Sequence, residues 1–103
     1  MIRHIFLWSI KDGHDGDSVL ARLAELEHRI PGLRAFTIGE HEGESPNASA
    51  GTWQYALTCD FETFDDLDRY QRHPEHQRIV GEVEDAYRDW VVLDYRLDSG
   101  RRG

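Results

Sequence analysis

The sequence predicts an α+β fold: a four-stranded antiparallel sheet with helices on one face, the ferredoxin-like arrangement. Segments with strand alternation and segments with helical periodicity follow one another in the order β-α-β-β-α(α)-β. The first predicted strand is apolar on both faces, which indicates that both faces are covered. The 103 residues fit one domain, which we place at residues 1–97, followed by a short polar tail at 98–103.

Residues 2–10 predict the first strand, because side chains alternate across a strand and apolar residues occupy both faces. Helices can cover only one of these faces. Pairing two such sheets face to face would cover the other, so we expect a homodimer through the sheet face. The predicted inward face carries Ile2, His4, Phe6, Trp8 and Ile10, and the other face carries Arg3, Ile5, Leu7 and Ser9.

The middle of the chain predicts one helix and two strands. A cap at Asp17 or Ser18 begins a helix that runs to about Arg29, and Pro31-Gly32 ends it. Residues 33–41 and 52–61 predict strands. The segment 42–51 between them predicts a long hairpin connection, with a mobile lip over a pocket as the alternative. The helix presents one apolar stripe: Leu20, Leu23, Leu26 and Ile30.

The last third predicts two helices and a strand. Thr63 caps a short helix, and Pro74 begins the next one, since Pro is favoured at the first helical position. Residues 91–97 predict the last strand. The first of these helices carries Phe64, Leu67 and Tyr70 on one side. The helical spacing of Ile79, Val83, Tyr87 and Trp90 predicts that the second runs to about Trp90.

The stretch 70–76 concentrates the residues most capable of chemistry. We predict that His73 caps the helix and that His76 lies in its first turn, with Tyr70 as a hydrogen-bonding partner. The positive end of the helix dipole disfavours imidazolium, so His76 is expected to be neutral and able to accept a proton. His4, on the inward strand face, would form the opposite wall of a pocket. The alternative is a capping His73, a solvated His76 and a hydrogen-bonded core His4.

Bulk properties exclude several partners. Twenty acidic residues against twelve basic ones give a charge of −8, which argues against nucleic acid and anionic membranes. The single Cys59 excludes an intramolecular disulfide and is interpreted as a small core residue rather than a nucleophile. No signal peptide or long apolar run is visible, so a cytoplasmic location is expected.

The same stretch resembles a known family. Tyr70-x-x-His73-Pro74-x-His76 resembles the signature of the stress-responsive A/B barrel (Dabb, dimeric α+β barrel) domains. The resemblance covers about residues 1–97 and implies a homodimeric α+β barrel. It extends to the flanking Phe61, Phe64, Val80 and Tyr87, to the first strand Met1-Ile2-Arg3-His4-Ile5-Phe6-Leu7, and to the helix-to-strand turn Ile30-Pro31-Gly32.

The resemblance also implies site residues. Enzymes of the family resemble this chain at a strand-one His, a Tyr before the His-Pro turn and the second His of that turn. In a plant polyketide cyclase of the family, the last two form the proton-transfer pair. Tyr70 and His76 are thereby implied to be catalytic, with His4 as support. The chain departs from that cyclase on the first helix, where Leu23 occupies the position of a further Tyr.

These observations favour a cofactor-independent enzyme that moves a proton next to a carbonyl, as a lyase, cyclase or isomerase of a small molecule. Neither a cofactor nor a metal is expected for this chemistry. The candidate substrate-binding residues are Phe6, Trp8, Leu23, Trp53, Phe61 and His73.

Two other functions remain open. The first is a non-catalytic, stress-responsive oligomeric or ligand-binding protein. The second is a metal site at His73, His76 and an acid such as Glu75 or Asp66, although no HExxH-like motif or Cys ligand strengthens it. A haem-degrading or quinone-forming monooxygenase, another activity of related barrels, is a variant of the enzymatic interpretation.

Overall fold

The computed structural model describes residues 1–44 and 53–97, so most of the 42–51 connection, Thr52 and the 98–103 tail lie outside the described residues. Within the described residues, no helix has the length and apolar character needed to cross a membrane. The elements are β1 (Ile2–Ile10), α1 (Gly16–Ala24), α2 (Leu26–Arg29), β2 (Arg34–Glu40), β3 (Tyr55–Phe61), α3 (Phe64–Arg72), α4 (Pro74–Val83) and β4 (Tyr87–Arg96).

The four strands pair antiparallel in the order β2-β3-β1-β4. This is the predicted ferredoxin-like arrangement, with β2 and β4 at the edges. The helices pack on one face of the sheet, and the core lies between them. Buried core side chains come from β1 and β3 (Ile2, Trp8, Ile10, Tyr55, Leu57, Cys59 and Phe61) and from the helices (Val19, Leu23, Leu26, Ile30, Leu67, Tyr70, Ile79 and Val83).

The outer face of the sheet carries an apolar strip in the single chain. Val91 is 40% exposed, Leu93 57% and Tyr95 39%, and they alternate with inward residues along β4. Ile5 and Leu7 lie beside them on β1, because Ile5 pairs with Leu93 and Leu7 with Val91. The two-sided pattern predicted for the first strand therefore corresponds to one face on the core and one face that residues 1–44 and 53–97 leave uncovered.

The prediction for the C-terminal helix was wrong in its length. The helix α4 ends at Val83, a 3₁₀ turn spans Glu84–Ala86, and Tyr87 and Trp90 lie in β4. Residues 87–96 pair with β1 along nearly the whole of that strand, and this pairing satisfies their backbone hydrogen bonds. The strand therefore forms even though the side chains of Tyr87 and Trp90 fit a helical spacing. Phe64 is 49% exposed, and the guanidinium of Arg96 lies 5.5 Å from its ring centroid.

Three smaller boundaries differ from the prediction. Asp15, not Asp17 or Ser18, caps α1, because its Oδ1 accepts from the N–H groups of both those residues. The predicted first helix is divided at Glu25 into α1 and α2. The strand β3 begins at Tyr55 rather than at residue 52.

Six charged side chains of alternating sign form a closed ring, here called the charge ring, over α1, α2 and α4. Exposed ion pairs contribute little singly, but a network restrains the elements that carry it. The ring therefore connects α4 to α1 and α2. Its contacts run Arg22–Glu25 (2.8 Å), Glu25–Arg29 (2.9 Å), Arg29–Glu75 (3.2 Å), Glu75–Arg78 (2.6 Å), Arg78–Glu82 (3.3 Å) and Glu82–Arg22 (2.6 Å).

Candidate functional site

A cavity of about 240 Å³ lies where α4 passes over β1 and β4. Its walls are largely apolar, with a few polar groups, which is the usual composition of a small-molecule site. We call it the histidine cavity, because two histidines from different elements reach it. Its lining residues are His4, Phe6, Gln71, His76, Val80, Glu84, Tyr87, Trp90 and Val92.

The start of α4 positions His76. The imidazole Nδ1 of His73 accepts a hydrogen bond of 3.0 Å from the backbone N–H of Glu75, and Pro74 is the first helical residue. The predicted cap and helix start are both confirmed. Because the first turn is fixed in this way, His76 enters the cavity from a defined backbone.

His76 is held neutral. Its pKa is lowered from 6.5 to about 4, chiefly because burial penalises the charged imidazolium and also because His4 lies nearby. The expectation of a neutral imidazole is confirmed, although burial, rather than the helix dipole, is the leading cause. The Gln71 carbonyl interacts with the ring and opposes the shift. Since a carbonyl only accepts, the ring nitrogen facing Gln71 carries the hydrogen and the other nitrogen keeps a lone pair.

His4 is held by Asp94. Its Nδ1 lies 2.6 Å from Asp94 Oδ1, and the two residues are direct partners across the β1–β4 ladder. A carboxylate only accepts, so Nδ1 carries the hydrogen, and in the neutral tautomer the lone pair is on Nε2. Sequence reasoning missed Asp94. Its available signal was an acidic residue directly after the apolar run Val91-Val92-Leu93 of the final strand.

Tyr70 lies behind the two histidines rather than in the cavity wall. Its ring meets His76 edge-on with centroids 4.6 Å apart and His4 at 6.0 Å, and the residue is only 2% exposed. Its hydroxyl forms a hydrogen bond with the thiol of Cys59, and burial raises the pKa of the phenol. The structure therefore directs the hydroxyl to Cys59, whereas the sequence analysis had paired it with His76.

The predicted substrate-binding residues are mostly elsewhere. Of the six, only Phe6 lines the histidine cavity. Trp8, Leu23 and Phe61 are at most 1% exposed, because packing of sheet against helices encloses them completely. Trp53 lies before β3 and borders a separate outer groove of about 460 Å³, and His73 borders a hollow near Pro31. Five of the six candidate substrate-binding residues therefore lie outside the histidine cavity.

Two aromatic residues of the cavity were missed because the sequence analysis placed them on a helix. Tyr87 is 8% exposed, and its hydroxyl oxygen is buried without a hydrogen-bond partner among the described residues. Burial and the charge of Glu84 raise the pKa of this phenol, so it stays protonated. Trp90 is 61% exposed and forms part of the cavity mouth.

The proposed metal ligands are engaged in other contacts. His73 Nδ1 caps α4, Glu75 pairs with two arginines of the charge ring, and Asp66 pairs with Arg69 at 2.6 Å. Residues 1–44 and 53–97 contain no group of three or more His, Cys, Asp or Glu arranged to hold a metal ion. The metal alternative therefore finds no support in the described part of the chain.

Comparison with known sequences gives a family match over nearly the whole chain. The family described as "Stress responsive A/B Barrel Domain" (Dabb) matches residues 2–97. The chain is also 31% identical over 102 residues to an uncharacterised protein of Streptomyces coelicolor, a match that covers 94% of this chain and all of that protein.

Solved structures share the architecture. A dimeric ferredoxin-like protein of unknown function from Thermobifida fusca superposes with a TM-score of 0.75 at 27% identity, covering 93% of this chain and 90% of that one. A hydroxynitrile lyase from Passiflora edulis superposes with a TM-score of 0.84 at 20% identity, covering 98% and 96%. At 20% identity, the likeness to the hydroxynitrile lyase shows only a shared fold.

Proposed function

This chain belongs to the stress-responsive A/B barrel domain (Dabb) family, and from that premise we propose that it is a cofactor-independent enzyme of small carbonyl compounds. The proposed step is transfer of a proton from the carbon next to the carbonyl, the step that lyase, cyclase and isomerase reactions of this kind share. One observation carries the proposal: two imidazoles, each with a nitrogen free to accept a proton, meet in an apolar cavity.

His76 is the proposed base. Its pKa of about 4 leaves it unprotonated at neutral pH, so it is ready to accept. In the proposed step the C–H bond breaks and its proton passes to the imidazole nitrogen that does not face Gln71. The electron pair of the C–H bond forms the carbon–carbon double bond of an enolate, and the charge moves to the carbonyl oxygen. Return of the proton to carbon or oxygen restores the base.

His4 supports this step through its carboxylate partner. An imidazolium that forms near the cavity is stabilised by the carboxylate of Asp94, 2.6 Å from His4 Nδ1. The same contact favours a second assignment, in which His4 Nε2 accepts the proton and His76 stays neutral throughout. Tyr70 contacts both imidazole rings and is a positioning residue in either assignment.

We further propose that a second copy covers the outer face of the sheet. Exposed apolar side chains on β4 and their β1 neighbours form a continuous strip there, and exposed apolar strips of this kind mark protein interfaces. The related Thermobifida fusca protein is dimeric. Such a dimer is the α+β barrel that the family resemblance implied.

Proton exchange tests the function without knowledge of the full reaction. A panel of small ketones and β-dicarbonyl compounds is incubated with the protein in D₂O, and loss of the α-proton signal is followed by NMR. Wild type should exchange at least one compound faster than buffer does. His76→Asn should reduce that rate by about 10²–10⁴-fold, the usual contribution of one acid–base group.

His28→Asn is the matched control, because His28 is an exposed histidine of α2 outside the cavity. It should leave the exchange rate unchanged. Exchange that stays at buffer level for every compound contradicts the proposal, whereas exchange that survives in His76→Asn rejects His76 as the base and supports the assignment to His4. Binding of a compound without exchange would instead favour the non-catalytic ligand-binding function.

A further inference from the structure

The histidine cavity holds two proton acceptors, and the proposed chemistry also needs a donor. His4 Nδ1–H is directed to Asp94, and the hydrogen-bearing nitrogen of His76 faces the Gln71 carbonyl. Each neutral ring therefore offers a lone pair rather than an N–H group. While both rings are neutral, a substrate carbonyl oxygen, which itself only accepts, finds no donor in either imidazole.

Tyr87 offers such a donor. Its side chain lines the cavity, and its hydroxyl oxygen is buried without a hydrogen-bond partner among the described residues. Buried polar groups are nearly always paired, so an orphaned hydroxyl beside a cavity indicates a partner beyond the described residues, which a ligand in the cavity can supply. Trp8 Nε1 is similarly unpaired, but Trp8 does not line the histidine cavity.

We propose that Tyr87 donates a hydrogen bond to an oxygen atom of the substrate and so orients it against the two histidines. This deepens the proposed function and rests on it for the identity of the reacting carbon. The substrate class that fits is a small, mainly apolar compound with a carbonyl or enolised oxygen next to an acidic C–H group. Phe6, Val80, Val92 and Trp90 would contact its apolar part.

A donor to the carbonyl oxygen also acts during the reaction. When the α-proton leaves, negative charge moves to that oxygen, and a hydrogen bond to it becomes stronger. The Tyr87 phenol is suited to this role, because it keeps its proton well above neutral pH. No proton needs to leave Tyr87 for the step to balance.

Matched ligands test the hydrogen bond separately from turnover. Acetophenone and α-methylstyrene have nearly the same shape but differ in having C=O or C=CH₂, and cyclohexanone and methylenecyclohexane form a second such pair. Affinities are measured by NMR titration. Wild type should prefer at least one ketone, and Tyr87→Phe should remove that preference by weakening the ketone about two- to tenfold, the range for one neutral hydrogen bond. The alkene should bind the variant equally well.

Two further measurements separate this role from a structural one. Tyr87→Phe should not lower the free energy of unfolding, since it removes an unpaired buried polar group. Tyr55→Phe is the control variant, because Tyr55 is a buried tyrosine outside the histidine cavity, and it should keep the ketone preference. The inference is overturned if wild type binds no ketone or shows no preference, or if Tyr87→Phe keeps the preference. Loss of preference without any proton exchange would leave this inference standing and reject the proposed function.

Discussion

Asp94 Oδ1 lies 2.6 Å from His4 Nδ1, directly across the ladder that joins the first strand to the last. The two residues are 90 positions apart in sequence. The contact fixes the tautomer and the ring orientation of a histidine that lines the cavity. It also places the negative charge of Asp94 beside an imidazole that would become positive on accepting a proton.

Asp94→Asn should slow proton exchange. The amide keeps the size of the side chain and can still accept from Nδ1–H, but it no longer stabilises an imidazolium. We expect a loss of about 10–100-fold, the range found when a carboxylate that orients a metal-ligating histidine is removed. The measurement is the NMR exchange rate at neutral pH, with Asp89→Asn on the same strand as the control. An unchanged rate in Asp94→Asn would show that no charge develops on His4.

The pH profile should report the depressed pKa of His76. With His76 as the base, exchange should fall with a midpoint near pH 4 rather than near the ordinary value of 6.5. The exchange rate between pH 3.5 and 8 gives this midpoint, read over the range in which circular dichroism shows a folded protein. A midpoint near 6.5 would contradict the assignment of His76.

The same shift makes stability depend on pH. Between pH 6.5 and about 4 the unfolded chain binds a proton at His76 that the folded chain does not bind, so stability falls as the pH falls through this window. Glu25, Glu75 and Glu82 have lowered pKa values. Below about pH 4.5 the unfolded chain protonates these carboxylates more readily than the folded chain does, so stability falls further. Urea unfolding at pH 7 and pH 5 isolates the histidine, and His76→Asn should show a smaller difference between the two. An equal difference in the variant would assign the dependence to other groups.

His73→Ala should destabilise the start of α4. The change removes the acceptor for the Glu75 N–H, and loss of a helix cap costs about 0.5–2 kcal/mol. The free energy of unfolding in urea measures the loss. His73→Asn offers another side-chain acceptor at the cap and should recover most of it. Equal losses in both variants would indicate that packing contacts of the His73 ring, rather than its capping hydrogen bond, stabilise the start of α4.

Leu93→Glu should separate the proposed dimer. Leu93 is 57% exposed in the single chain, and a charge there would be buried without a partner in the paired sheets. Light scattering at micromolar concentration should give twice the 12.0 kDa chain mass for wild type and a lower value for the variant. Phe64→Glu introduces the same charge at an exposed apolar residue off this face and should stay dimeric. A wild-type mass near 12 kDa would reject the dimer.

The sequence was most informative where local chemistry decides the structure. Pro74 after His73 fixed the prediction of a cap and helix start, and both are present. The alternation of Tyr55, Leu57 and Cys59 identified a half-buried strand, and its inward face is the core. These features depend on residues close together in the chain.

The features that were missed depend on distant parts of the chain. Tyr87 and Trp90 fit helical spacing, and only their pairing with β1 makes them part of a strand. The contact of Asp94 with His4 requires the register of that pairing. The Tyr70 hydroxyl reaches Cys59 because α3 packs across β3, a direction that spacing along α3 does not give. Strand register and side-chain direction are tertiary properties, so a local pattern leaves them open.

The charge ring over the helices has a consequence for how related chains diverge. Each member lies between two partners of opposite sign, so reversing a single charge creates two repulsive contacts at once. A reversal at Glu75, for example, would repel both Arg29 and Arg78. The six positions are therefore expected to vary together during evolution. Descendants of a common ancestor should retain the alternating set or lose it as a group, and isolated sign changes should be rare.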